Sequence, residues 1–282
     1  MWFSSWLRKR TSNLPLRARA HHRPTPPRFR PWVEALEDRC LPSTLTVTNN
    51  LDNGSVGSLR YEIDAAQSGD TIIFAPSLSG QTITLYDQLV INKSLTIQGL
   101  GAQNLTISGG EKGRVFEVYG SNVQVTLAGM TITGGDGYES NDRLFWQYAT
   151  DGGAILNFAA LTIQSCTVFN NTAYVGGTRS DGGGIYNGGT LTLSGSTVSN
   201  NGAGEGGGIY NAPTGIYNGA GNLTVSSSTV TGNTAYGEGG GIYNKGTMAV
   251  SYSTVTGNSP DDVFNLGKFQ KNHNTIGTVV NG

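Results

Sequence analysis

Charge is scarce in this chain. Asp, Glu, Lys and Arg make up 13% of its 282 residues, about half the share usual in a soluble domain. That charge is unevenly placed. Up to residue 40, nine basic residues face three acidic ones, a net +6; the remaining nine basic and sixteen acidic residues give −7. A mildly acidic body has no basic face for a phosphate backbone, which excludes a nucleic-acid partner. Two cysteines, Cys40 and Cys166, cannot form a disulfide framework, so Cys166 reads as a small core residue. The basic N-terminus is not followed by the apolar run of an ordinary secretory signal. No apolar stretch is long enough for an anchor helix and no barrel follows, so no membrane span is expected.

Glycine is plentiful, at 42 residues, and it is periodic. Asp151-Gly-Gly-Ala-Ile-Leu-Asn157 can be laid on Asp181-Gly-Gly-Gly-Ile-Tyr-Asn187, Glu205-Gly-Gly-Gly-Ile-Tyr-Asn211 and Glu238-Gly-Gly-Gly-Ile-Tyr-Asn244. Each copy leads to an apolar strand beginning at Leu161, Leu191, Leu223 or Met248, then to Thr-Val and an asparagine: Asn171, Asn201, Asn233 or Asn258. The step from acidic residue to isoleucine is always 4, and from first strand residue to terminal asparagine always 10. Length varies at two places only, after the asparagine and between the isoleucine and the strand. Fixed rungs and variable loops are the mark of a solenoid.

The rungs are β. Leu-Thr-Leu and Ser-Thr-Val-Ser alternate with period 2, and Gly-Gly-Gly breaks a helix. The reading is all-β: a right-handed parallel β-helix with Ile185, Leu191, Leu193 and Val198 inside and coils about 4.8 Å apart. Asn171, Asn201, Asn233 and Asn258 are structural. At the turns they tolerate left-handed backbone angles, and in register they bond one another.

In chain order, residues 1–42 are Arg- and Pro-rich and read as a disordered leader or targeting segment. Val33-Glu-Ala-Leu-Glu-Asp-Arg-Cys-Leu41 resembles a Leu-Glu-x-Arg-x-Leu-type motif found near the N-termini of large bacterial surface proteins. That resemblance implies an export element of atypical form; the alternative is an unstructured leader. Residues 43–282 read as one capped β-helix domain. Ser58 is a candidate N-cap, and Leu59, Ile63 and Ala66 share one helical face that would cover the first coil. Ser58, Leu59, Arg60, Ile63, Ala66 and Gly69-Asp-Thr-Ile72 resemble the Cys-Ser-Leu-Arg-Glu-Ala domain that precedes β-helices in bacterial surface proteins. The chain departs from it at Gly57, Tyr61 and Glu62. From Asp151 on, the Gly-Gly-Gly-Ile-Tyr-Asn units resemble the right-handed β-helix repeats of polymorphic outer-membrane proteins.

Three functional readings follow. The enzymatic one considers polysaccharide hydrolases and lyases, which resemble this fold. His21, His22 and His273 lie in no Gly-His-Gly, Asp261-Asp262 is the one adjacent acidic pair, and Arg143 and Arg179 are read as the only arginines flanking the rungs. Catalysis is therefore not expected, and no catalytic residue is assigned. The binding reading rests on Tyr186, Tyr210 and Tyr243, which follow inward isoleucines and so face out, either as a platform for sugar rings or as an aromatic ladder. Tyr138, Phe145, Trp146 and Tyr148, in the long loop from Asp136 to Thr150, add an aromatic recognition surface unless they fold back as packing. Asp151, Asp181, Glu205 and Glu238 form an acidic column. Its carboxylates can splay into solvent, take raised pKa values, or hold Ca²⁺, the one cofactor considered. The scaffold reading asks least: a monomeric, secreted or cell-surface rod displaying loops to surface glycans or other surface proteins.

Overall fold

The computed structural model describes residues 41–137, 150–175, 178–213 and 221–282. The leader reading and the four loop aromatics Tyr138, Phe145, Trp146 and Tyr148 lie outside the described residues. The body, residues 41–282, is one compact unit. It is a parallel β-helix. Its strands form sheets of fifteen, eight and four, and every described pairing but one is parallel.

The second sheet shows the stacking most simply. It runs from Gln81–Thr84 through Leu105–Ser108, Thr131–Thr133, Thr167–Phe169, Thr197–Ser199, Thr229–Thr231 and Thr254–Thr256 to Thr275–Ile276. The first sheet climbs from Thr44–Val47 to Ile155–Gln164 and then divides into two branches. One branch stacks Ile155, Ile185, Ile209, Ile242 and Val263 in register. The other stacks Leu161, Leu191, Leu223, Met248 and Phe269. The repeat alignment therefore matches the register residue for residue. Ile185, Leu191, Leu193 and Val198 are fully buried in one continuous core.

The glycines explain the corner before each isoleucine. The first of each set, Gly152, Gly182, Gly206 or Gly239, has φ between +62° and +72°, a region side chains avoid. At the second, an added Cβ would meet backbone oxygen: 2.3 Å from Gly202 O at Gly183, and 2.1 Å from Ser259 O at Gly240. Only glycine lets adjoining segments come this close.

The predicted cap is present. Helix α1 spans Leu59–Ala65, and the Ser58 hydroxyl accepts the Tyr61 N–H. Leu59, Ile63 and Ala66 are buried in the core. Lys93 Nζ donates to the carbonyls of Ile63, Asp64 and Ala66 at 3.0–3.1 Å, placing a cation on the helix C-terminus. Gly57 has φ +84°, and a Cβ there would lie 2.2 Å from Thr48 Oγ1, so this chain has no room for a cysteine at that position. Buried Glu62 accepts the Gly57 N–H at 3.1 Å. Among the described residues, no helix is long and apolar enough to cross a membrane.

Two asparagine ladders bind the coils. Asn171 Nδ2 donates to Asn201 Oδ1, Asn201 to Asn233 and Asn233 to Asn258, each at 2.9 Å. Asp262 Oδ1 ends the run, accepting from Asn258 Nδ2 at 2.8 Å. The Oδ1 atoms of Asn201, Asn233 and Asn258 each also accept the backbone N–H of the asparagine one coil earlier, and that of Asn171 accepts the Gly135 N–H. The sequence reading is corrected in one respect. The left-handed residue is the one before the ladder asparagine: Asn170, Asn200, Gly232 and Gly257 have φ between +53° and +70°. That kink turns the next side chain inward, where it must be paired. The second ladder was not anticipated. Asn157, Asn187, Asn211, Asn244 and Asn265 are linked at 2.7–2.8 Å.

Removing one rung leaves its neighbours' buried polar groups unpaired. Asn201→Ala is expected to lower unfolding stability by about 1–3 kcal/mol, measured by urea denaturation. Exposed Asn50→Ala serves as the control. Equal stability of the two variants would show that the ladder does not bind the coils.

Candidate functional site

The motif that opens each coil also builds the site. Each inward isoleucine sends the following tyrosine to the opposite side of the sheet. Tyr186, Tyr210 and Tyr243 fall in register and stack, with ring centroids 5.2 and 5.3 Å apart and planes within 16°. Phe264 continues the stack at 5.0 Å. With Leu156, Phe158 and Ala212 they make a second apolar cluster beside the main core. The tyrosines are only 4–5% exposed. This corrects the expectation that they face solvent: each ring is covered above and below by its counterpart in the adjacent coil. They form an aromatic ladder, not an open platform for sugar rings.

Beside this ladder runs the acidic column. Asp151, Asp181 and Glu205 are half-buried and Glu238 is exposed. Asp151 Oδ1 accepts the Asp181 N–H at 2.8 Å, and Asp181 and Glu205 form a parallel bridge. Burial, and then the charges of Asp151 and Glu205, push the Asp181 carboxyl up to about 7. Burial pushes Asp151 up to about 6. Of the three outcomes considered, raised pKa values describe these two residues, and exposure to solvent describes Glu238. Among the described residues, no three His, Cys, Asp or Glu side chains group to hold a metal ion.

Lys245 closes the cluster from a later coil. Its Nζ lies 3.6 Å from Glu205 Oε2 and donates to the Tyr210 hydroxyl at 3.1 Å. It also stands 4.7 Å above the Tyr243 ring and 5.4 Å from that of Tyr210, so cation–π attraction adds to the ion pair. Burial disfavours its charge. The Tyr210 hydroxyl and then the Glu205 carboxylate outweigh that and hold the ammonium above its ordinary pKa.

The sequence reading overlooked one arginine. Arg114 is fully buried. Its Nη2 and Nε donate to Asp151 O at 2.8 and 3.1 Å, and its Nη1 donates to Gln88 Oε1 at 2.7 Å. Glu117 pairs with it at 3.6 Å and accepts from Gln88 Nε2 at 2.7 Å. Arg114 thus fastens the backbone beneath the acidic column to the coils nearer the cap. Arg143 lies outside the described residues, as does the Arg179 side chain. Asp261 and Asp262 are structural acceptors: Asp261 takes the Gly239 N–H, and Asp262 takes those of Asn258 and Thr278.

Residues 227–245 match the Chlamydia polymorphic membrane protein repeat. This segment holds one rung of the second sheet, the ladder residue Asn233 and the corner from Glu238 through Tyr243 to Lys245. The solved structures include the crystal structure of pectate lyase Pel9A, similar with a TM-score of 0.47 at 14% identity, over 81% of this chain and 70% of that one. No curated protein matches the chain.

The raised carboxyls set a pH dependence. Asp181 has an ordinary value of 3.8 and is pushed up to about 7. Between those values the folded chain keeps a proton that the unfolded chain has released, so stability falls as pH rises through that window and levels off above it. Asp151 acts in the same direction. The melting midpoint is expected to be higher at about pH 5 than at about pH 8, with a smaller gap in Asp181→Asn. A gap of the same size in that variant would remove Asp181 as its source.

Proposed function

We propose that this chain is a non-catalytic, extracellular or cell-surface scaffold whose rigid β-helix displays loops for adhesion. One observation carries the reading. Across the coils from Asp151 to Asn265, paired positions keep register while coil length changes, from 33 residues between Ile209 and Ile242 to 21 between Ile242 and Val263. The stack is constant and the excursions vary, as suits a rod that presents segments to partners. The polymorphic membrane protein repeat at residues 227–245 supports a surface location.

The recognition surface in this reading is the loop from Asp136 to Thr150, with Tyr138, Phe145, Trp146 and Tyr148 as aromatic contacts to surface glycans or other surface proteins. The tyrosine ladder and the acidic column stiffen the edge that carries it. A glycan array probed with the full chain tests this. Binding is expected, and Phe145→Ser with Trp146→Ser is expected to abolish it without changing the melting midpoint. Undiminished binding by the variant would move the site elsewhere. The adhesive reading fails if neither glycans nor intact cells retain the full chain.

A second reading, polysaccharide degradation, has the Asp181 carboxyl in its favour. A group titrating near neutrality beside a phenol and an ammonium is equipped for proton transfer. It requires product release from polysaccharides by the full chain and its loss in Asp181→Asn.

A further inference from the structure

The outer face of the second sheet has a chemistry unlike the rest of the surface. Its eight described strands present alternate residues outward, on either side of the inward Ile or Val. The residue before that apolar position is threonine in all eight, from Thr82 to Thr275, and the register joins them into one unbroken column. The residue after it is threonine or serine in six, with Phe169 and Gly277 the exceptions. Neither column holds a charged residue. Every one of these threonines and serines is half-buried or exposed.

The two columns form a lattice. Hydroxyl and methyl groups repeat at about 4.8 Å along the stack and about 7 Å across it, for a length of about 34 Å. The χ1 stiffness of threonine keeps the groups in place. β-propensity favours threonine on any strand, but it does not explain this pattern. The outward columns of the neighbouring branch lie on equally regular strands and hold Ala160, Gln164, Asn222, Ala249 and Lys268 among their threonines. On the flank that precedes the threonine column the chain keeps one constant course over five strands, and at the first of them Ala102 O accepts from Thr131 Oγ1 at 2.6 Å. From Val125 onward the step from apolar strand to outward threonine is 6 in every coil to Thr254, so no excursion leaves the stack on this flank.

An uncharged face of regularly spaced hydroxyls and methyls complements a neutral, periodic partner whose groups both donate and accept. We propose that this face binds an ordered water lattice, that is, the surface of ice. The methyl groups hold an ordered first water layer and the hydroxyls anchor it by accepting and donating hydrogen bonds. The spacings of oxygen rows in hexagonal ice are close to the two repeats of the columns. A single charge on such a face would break the order.

The test is adsorption to ice. Full chain is mixed with water, a polycrystalline ice front is grown slowly through it, and the protein taken into the ice is measured beside the rate of ice recrystallisation. Enrichment in the ice and slowed recrystallisation are expected. Thr197→Lys with Thr229→Lys should lose both effects. Thr192→Lys with Thr224→Lys, on the neighbouring branch, should keep both at an unchanged melting midpoint. If the first pair fails to fold, Thr231→Asp alone replaces it. Exclusion of the unmodified chain from the ice overturns the proposal, as does equal loss in the two pairs. Retention on crystalline cellulose without adsorption to ice overturns it too, because the periodic partner would then be a polysaccharide.

Discussion

The whole β-helix depends on in-register parallel pairing between successive coils. A parallel strand cannot satisfy its backbone within its own coil, so each rung needs its neighbours above and below. Once register is set, every side chain has its counterpart about 4.8 Å away, and like must pack on like. For Ile185 on Ile209 this means apolar burial. For Asn201 on Asn233 it means an amide chain in which each Oδ1 accepts from both the Nδ2 and the backbone of the coil before. For Asp181 beside Asp151 and Glu205 it means repulsion.

The acidic column shows how the fold absorbs that repulsion. Glu205 is paired with Lys245, Glu238 stands in solvent, and Asp181 and Asp151 are pushed toward the neutral form. Lys245 reaches the column because the tyrosine stack beneath gives it two ring faces and a hydroxyl. The aromatic ladder and the charge column are therefore one edge, in which each stabilises the other. At the other end of the column Arg114 holds the Asp151 carbonyl from inside. Glu205 and the Asp151 carbonyl are thus held from coils on opposite sides, by Lys245 and by Arg114.

Much of this was legible in the residues. The fixed steps of 4 and 10 gave the register, because an insertion inside a rung would slip every side chain to the wrong face. Ser58 with Leu59, Ile63 and Ala66 located the cap, because a helical face and an N-cap are local signals. The ladder role of Asn171, Asn201, Asn233 and Asn258 followed from their constant place. The ladder from Asn157 to Asn265 was just as regular. Its asparagines sit directly after the outward column that holds Tyr186, Tyr210 and Tyr243, and alternation alone does not separate an inward amide from one at an exposed turn. Arg114 carried no periodic signal at all, since a buried charge is defined by the partners folded around it.

The sequence by itself determined the class of fold, the inward residues and the order of the columns, because these depend on spacing and a two-residue alternation. Only the tertiary structure decided which outward residues are exposed. Alternation tells which side of a sheet a residue faces and says nothing of what covers that side. Tyr210 faces away from the core and is still 95% covered, by Tyr186 and Tyr243. Thr197 and Thr229 also face away and are only half-buried. The same limit applies to the charges. Glu205 and Lys245 are 40 residues apart, and their ion pair exists only because the coil between them brings the two to one edge.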